Sequence, residues 1–507
     1  MTTRSLRIRL FISLWMIYVL HFATDFAREH FLVVSMVEDH TFALDKYYGL
    51  HADIFMNPPE ATVKGAHHGA NPGISMVAAI PYLVLKPAVD FIVNRNLAAR
   101  GPADTTTIYN DTRPNRVRFY QETRKRGLDV RFGLVAAITM VFFMAPLSAL
   151  SALAMLALLD GLGLARRVSL GLTLLYALGT PVFFRTGYLN QNLGLGIFAF
   201  FAFLLLWDPG DRSTLSVPRR FFLAGFLGGL AFLCDYSGAL AMGLLGLYGW
   251  ARRHDSVSWG KGFLDSLWYA AGMMIPVIVL WYYQWASFGN AILPPQQWMA
   301  PVPWIDVGYK GVGGLSPELL RMLLIDARFG LFVTSPIMLL ALVAPFIPAR
   351  VSFLPRREMF FCLLLTLVFV LFFGTVQYTR LQWVTGIRYI APVLPFLFLP
   401  TAAVLMRLPR WLVWTLVTGS FVVSWSLAMV RSQGSVFENV EQIFLGGFQL
   451  PWLTVLSKTS AQYAPWLSRV SPLPLFILLG ITLYLIWTVD HPWGRIPSTE
   501  EARERPK

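Results

Sequence analysis

Charge is what this chain has least of. Only 14% of its 507 residues are Asp, Glu, Lys or Arg, against 56% hydrophobic residues and a mean hydropathy of +0.55. A soluble domain carries roughly a quarter charged residues, so a water-facing globular surface is excluded for most of the chain. Cysteine is nearly missing too: Cys234 and Cys362 are the only two, and each lies inside an apolar block. The topology given below places them near opposite faces of a membrane, too far apart for a disulfide. They read as inert buried thiols without redox or metal roles. There is also no clear repeat between the two halves, and almost no ionisable residue at mid-span. Both absences weigh against a pump or coupled carrier, which tends to be built from repeats around mid-membrane polar groups.

What the chain has is apolar blocks of about 15 to 25 residues, the length that crosses a bilayer. Spans are predicted at 10–24, 131–159, 168–187, 191–207, 221–234, 237–250, 266–284, 331–347, 359–376, 389–406, 411–430 and 473–489. The fold class is therefore all-α: a polytopic membrane protein of about 12 transmembrane helices, with interfacial helices in a long first outer loop. The net charge of +14 would suggest nucleic acid for a soluble protein. Here the basic residues sit in short segments between apolar blocks and read as topology signals, so nucleic acid is excluded as a partner. Arg4, Arg7 and Arg9, then Arg166-Arg167, Arg219-Arg220, Arg252-Arg253, Arg356-Arg357 and Arg407 with Arg410 all fall on the amino-terminal side. By the positive-inside rule that side is cytoplasmic, as is the tail ending Arg503-Glu504-Arg505. The first apolar run has no clean small-residue cleavage site after it and reads as an uncleaved span.

Residues 74–94 are apolar enough to span but contain Pro81, Lys86 and Asp90. Counting them as a span would put every later loop on the wrong side, so they are expected to lie in or dip into the outer interface. The long loops, 25–130, 285–330 and 431–472, then share the outer face, where function is expected because loops carry sites. In the third loop Trp452, Tyr463 and Trp466 read as membrane anchors in preference to sugar-stacking rings.

Candidate chemistry begins where the first span ends. If that helix continues for two turns, His21, Asp25, Arg28 and Glu29 share a face. Two carboxylates so placed need Arg28, a metal or a cationic ligand to stay ionised together. The sequence names no cofactor with certainty, and a divalent cation is compatible with the pair. The bland alternative is a helix end turning polar as it reaches water. In Gly65-Ala66-His67-His68-Gly69-Ala70-Asn71-Pro72-Gly73, Asn71 is expected to cap the following helix. Its free amides and the two histidines would suit an anion; the alternative is a well-made cap with two exposed histidines. A zinc site fits poorly, since adjacent histidines point apart. Asp235-Tyr236 marks a tight turn near the outer surface. Arg328 enters a span from the second loop. Arg388-Tyr389, between Gly386 and Pro392, is the leading phosphate clamp, although arginines at helix ends also snorkel.

In series, these features resemble the GT-C superfamily of integral membrane glycosyltransferases, the group that includes protein mannosyltransferases and lipid A aminoarabinose transferases. The resemblance rests on Asp25 after the first helix, Asn71-Pro72-Gly73 with Pro81-Tyr82, Phe288-Gly289-Asn290, Gly311-Val312-Gly313-Gly314, Arg328-Phe329-Gly330-Leu331 with Ser335-Pro336, and Gly386 with Arg388-Tyr389. They occupy roughly residues 10 to 400 in the expected order. The implied organisation is a catalytic module over 1–406 and further spans over 407–507. The resemblance implies an enzyme that takes sugar from a polyprenyl-phosphate carrier and passes it to a glycan, lipid or protein acceptor at the outer face of a bacterial inner membrane. It implies Asp25 as general base or acidic site residue. Arg388 would hold the lipid phosphate, helped by Arg328 and the His67-His68 loop. Many relatives carry a second acidic residue between the third and fourth spans. Here that loop reads Arg185-Thr186-Gly187-Tyr188-Leu189-Asn190-Gln191-Asn192, without a carboxylate, so Glu29 or Asp235 would have to substitute. A transporter or flippase of lipid-linked saccharide and an inactive scaffold of the same fold are the alternative readings.

Overall fold

The computed structural model describes residues 3–100, 109, 111, 113–211, 213–255, 257–461 and 464–489. Tyr463 and the basic-acidic tail lie outside them. Helices dominate the described residues; the strands Ile54–Met56 and Ala66–His68 pair antiparallel as one small hairpin in the first long loop. Five helices are long and apolar enough to cross a membrane: Gly73–Ala98, Asp129–Gly161, Val217–Cys234, Trp259–Phe288 and Arg410–Met429. Gln191–Trp207, Pro336–Phe346, Ala391–Leu405 and Leu473–Thr488 are apolar but shorter. The chain is a membrane protein with an all-α frame.

Glycine sets the closest helix contact. Helix Val217–Cys234 lies against Trp259–Phe288, where a Cβ on Gly225 or Gly272 would run into the backbone carbonyl of Tyr269 or Phe222 on the facing helix. A Cβ on Gly229 would come within 2.7 Å of the Met273 carbonyl. Close backbone approach through small residues is how helices associate without a hydrophobic driving force. Gly225→Ala is therefore expected to destabilise the protein by about 1–3 kcal/mol, the reverse of the usual gain from Gly to Ala in a helix. A melt of the purified protein in detergent checks this.

Charges gather at two opposite ends of the bundle. Arg252 pairs with Glu358 at 3.1 Å and Arg253 with Asp265 at 2.6 Å, and Arg220 with Asp208 and Arg357 with Asp255 complete that end. The far end of helix Val217–Cys234 runs into Asp235, beside the long loops. The first and last described helices are tied together, with Arg9 donating to the Trp487 and Val489 carbonyls at 3.0 Å.

Several local expectations are corrected. The first helix, Thr3–Leu20, stops at Leu20, and Thr24 takes a left-handed φ of 56°. A new helix, Arg28–Val34, begins only after that. His21, Asp25, Arg28 and Glu29 therefore do not share one helical face. Residues 74–94 belong to the single helix Gly73–Ala98, which runs through Pro81 and Pro87. Ile80, Leu83, Val84 and Phe91 point outward from it, while Tyr82 and Val89 are buried. Its inner face holds Lys86 and Asp90 against Glu38 and Arg131. Those charges are spent on packing, which is why they do not prevent an apolar outer face. Asn71 does not cap this helix: Pro72 holds the cap position, and Asn71 Nδ2 donates to the Phe232 carbonyl at 2.9 Å. Nor is the helix start open to an anion, because a Cβ on Gly73 would sit 2.5 Å from the Leu233 carbonyl carbon. The expected span 331–347 is a short helix, Leu331–Thr334, followed by the 3-10 run Pro336–Phe346, since Pro336 and Pro345 break the α ladder.

Candidate functional site

The elaborate end of the bundle holds two ionic clusters joined by one buried arginine. The first surrounds Asp25, in the irregular stretch between helices Thr3–Leu20 and Arg28–Val34. Arg116 of helix Pro114–Lys125 reaches its Oδ1 at 2.8 Å, and Arg431, just past helix Arg410–Met429, donates from Nε to Oδ2 at 3.1 Å. Burial pushes the Asp25 carboxyl up, but the pull of Arg431 and then Arg116 outweighs it and holds the group below its ordinary value. The Arg431 guanidinium also lies 4.8 Å over the Tyr188 ring. Beside it, Asp111 is shared by Arg113 at 2.8 Å and Lys458 at 3.3 Å. The hydrogen bonds from Arg113 keep Asp111 far below the usual carboxylate range against the effect of burial.

The second cluster is centred on Arg28. Its Nε meets Glu29 at 3.1 Å and its Nη1 meets Asp53 at 2.9 Å. Burial raises both acids, and the cation of Arg28, with help from Arg388, brings both below their ordinary values. Arg388 itself donates to the Leu381 carbonyl at 2.9 Å and lies 5.1 Å from the Tyr389 ring centre. Among the described residues it has no ion-pair partner. Asp235 accepts from Gln191 Nε2 at 2.7 Å and from the Ser237 amide at 2.9 Å, and it too has no ion-pair partner there. His68 Nδ1 accepts from the Ala70 amide at 2.9 Å. That bond assigns the proton to Nε2, which is buried without a hydrogen-bond partner.

Arg185 joins the clusters. It is 1% exposed and donates to Tyr188 Oη and to the Gly386 carbonyl, both at 2.6 Å. Tyr188 lies under Arg431, and Gly386 begins the turn that carries Arg388. That turn needs glycine: φ is +103°, and a Cβ would fall 2.5 Å from the Phe184 ring.

The remaining candidates are outside this core. His67 points the other way from His68 along the strand, with its ring 5.3 Å from Phe288. Tyr236 takes its hydrogen bond from Gln284, on helix Trp259–Phe288. The Arg328 side chain is exposed, and only its carbonyl supports the site, by accepting from the Gly386 amide at 2.7 Å. Trp452 donates to the Leu20 carbonyl at 3.0 Å, tying the loop at 431–472 to the end of the first helix. Among the described residues no group of three or more His, Cys, Asp or Glu is placed to hold a metal. Asp25 and Glu29 are each committed to guanidinium groups, so the pair does not fit a divalent cation.

The histidines give a pH test. Burial lowers His68 to about 3, with the Arg28 cation adding to it, and lowers His30 to about 4. In the unfolded chain both return to about 6.5. The unfolded state then binds more protons below that value, so stability is full above about pH 6.5 and lost as pH falls from there towards 4 and 3. The Tm of the purified protein should be flat from about pH 7 to 8 and should fall below about pH 6.5. His68→Gln should make that fall shallower.

Sequence reasoning missed Arg116, Arg431, Arg185, Asp53 and the Asp111 group. Two of them had a signal: Arg185 and Arg431 are arginines next to apolar blocks on the side that the sequence reads as outer, where the positive-inside rule disfavours them. Arg116 and Asp53 had none, because long-range ion pairs have no sequence spacing. No family model matches the chain, and neither does any curated protein or solved structure.

Proposed function

We propose that the chain is a membrane glycosyltransferase that moves a sugar from a polyprenyl-phosphate carrier to an envelope glycan, lipid or protein. The proposal places about 12 spans in a bacterial inner membrane, both termini in the cytoplasm and the two-cluster site at the outer face. The observation that carries it is a cation without a carboxylate in contact. Arg28 takes both Glu29 and Asp53 in ion pairs, and Arg388, partly exposed, balances the pair only at longer range, so its guanidinium has no carboxylate partner in contact among the described residues. A phosphate leaving group would supply that partner.

In this reading an acceptor hydroxyl attacks the anomeric carbon and gives its proton to Asp25. The bond from that carbon to the phosphate oxygen breaks, and the electron pair leaves with the polyprenyl phosphate towards Arg388. Glu29 acts through Arg28, fixing a second cation at the leaving group. Asp25 becomes a competent base when Arg116 or Arg431 turns from it to an incoming anion, since its basicity is held down by those two cations.

Proteoliposomes separate this from the flippase reading. The protein is reconstituted with lipid-linked saccharide extracted from the source membranes. Transfer predicts loss of carrier-linked sugar only when envelope extract is supplied as acceptor. Movement of the carrier between leaflets without loss of sugar would overturn the proposal.

A further inference from the structure

Two cavities flank the helix Pro451–Thr459, one on each of its faces. Thr454 and Lys458 line a polar cavity of about 340 Å³ together with Arg113, Arg116 and Arg431. Trp452 and Leu456 line a largely apolar cavity of about 590 Å³, walled by Phe26, Phe119 and Phe132 and also by Asp129 with its ion-pair partners Arg100 and Arg124. The i, i+3, i+4 spacing sends these two sets to different sides of the helix, and Val455 lines both cavities. Asp25 lines neither cavity, but Arg116 and Arg431 of the polar one hold it, and its neighbours Thr24 and Phe26 line the apolar one.

Among the described residues the polar cavity is not electrically balanced. Arg113 and Lys458 share Asp111, and Arg116 and Arg431 share Asp25. Four cations against two carboxylates leave two positive charges, and Arg431 is only 5% exposed. Desolvated charge without a counter-charge is costly, so the cavity is built for an anion. The aromatic wall of the cavity directly beside it, Phe26, Phe119, Phe132 and Trp452, fits a hydrocarbon chain.

We infer that the two cavities together bind one lipid whose head is a phosphate monoester, with the phosphate on the four cations and the chain along Phe26, Phe119 and Trp452. Such a head carries about −1.5 to −2 charges at neutral pH, matching the surplus of two; a phosphodiester carries one. The site is distinct from the Arg388 turn. It deepens the proposed reaction by giving a phosphate-bearing lipid a place beside Asp25, and it rests on that reading only in expecting lipid phosphate at this face. Polyprenyl phosphate and a bilayer lipid such as phosphatidic acid share this chemistry.

The test is native mass spectrometry of the full-length protein titrated with polyprenyl phosphate, phosphatidic acid, phosphatidylglycerol and inorganic phosphate. Monoester lipids should bind at least about tenfold tighter than phosphatidylglycerol, and more tightly at about pH 7.5 than at about pH 5.5, as the second phosphate proton leaves. Val455→Trp, which fills the seam, should lose lipid binding. Lys458→Ala, which leaves Asp25 untouched, should lose the preference for monoester over diester. Preference for polyprenyl phosphate over phosphatidic acid identifies the carrier as occupant, and the reverse identifies a bilayer lipid; either supports the site. Equal binding of phosphatidylglycerol, binding of inorganic phosphate alone, or unchanged lipid binding in both variants overturns it. Monoester lipid bound without any sugar transfer would refute the glycosyltransferase and leave this site standing. Transfer that persists in both variants with unchanged lipid binding would do the reverse.

Discussion

Asp25→Asn is expected to lower turnover by about a hundred- to ten-thousand-fold, the usual worth of general-base assistance. It should do something else as well. Asp25 is the only carboxylate holding Arg116 and Arg431 among the described residues, and breaking a buried pair by removing one partner typically costs about 3–5 kcal/mol. The variant should therefore be less stable and less active at once. The two effects separate in Asp25→Asn combined with Arg431→Gln, which removes one stranded cation. Its Tm should recover most of the loss, while turnover stays at the level of the single variant. Recovery of turnover along with stability would reduce Asp25 to a structural anchor.

Arg388→Ala should behave in the opposite way. Its side chain makes one backbone hydrogen bond and one ring contact and no ion pair among the described residues, so the fold depends on it less than on Asp25, chiefly through the charge that helps keep Glu29 and Asp53 ionised. A lost charge-assisted contact to phosphate costs about 1.5–3 kcal/mol. The expected result is a fall of roughly ten- to a hundredfold in kcat/KM for the carrier-linked donor, with a smaller loss of Tm than in Asp25→Asn. Arg388→Lys should recover part of it, because a lysine keeps the charge and loses the fork. An Arg388→Ala variant with full donor use would remove the phosphate from this position.

The sequence made the membrane frame legible because composition and block length act over whole segments, and no single contact decides them. The ends of those segments were harder to read. Pro336, Pro345 and the break at Gly179-Thr180-Pro181 divide apolar runs that hydropathy treats as continuous. Helix Gly73–Ala98 carries Lys86 and Asp90, which argue against an apolar environment until their partners Glu38 and Arg131 are known. The site followed the same division. Arg28, Glu29, Asp25 and Arg388 stood out by their position at segment ends. The partners that give them their electrostatics, Asp53, Arg116 and Arg431, lie 25, 91 and 406 residues from Arg28 or Asp25. No periodicity connects residues so far apart in the chain.

The most direct test of sugar transfer is mass spectrometry of the lipid-linked and envelope glycans from cells carrying wild-type protein or Asp25→Asn at equal membrane abundance. The account predicts that one defined sugar disappears from an envelope acceptor in the variant while its polyprenyl-phosphate donor accumulates. Identical glycan profiles, with the variant shown to be folded and present, would contradict it.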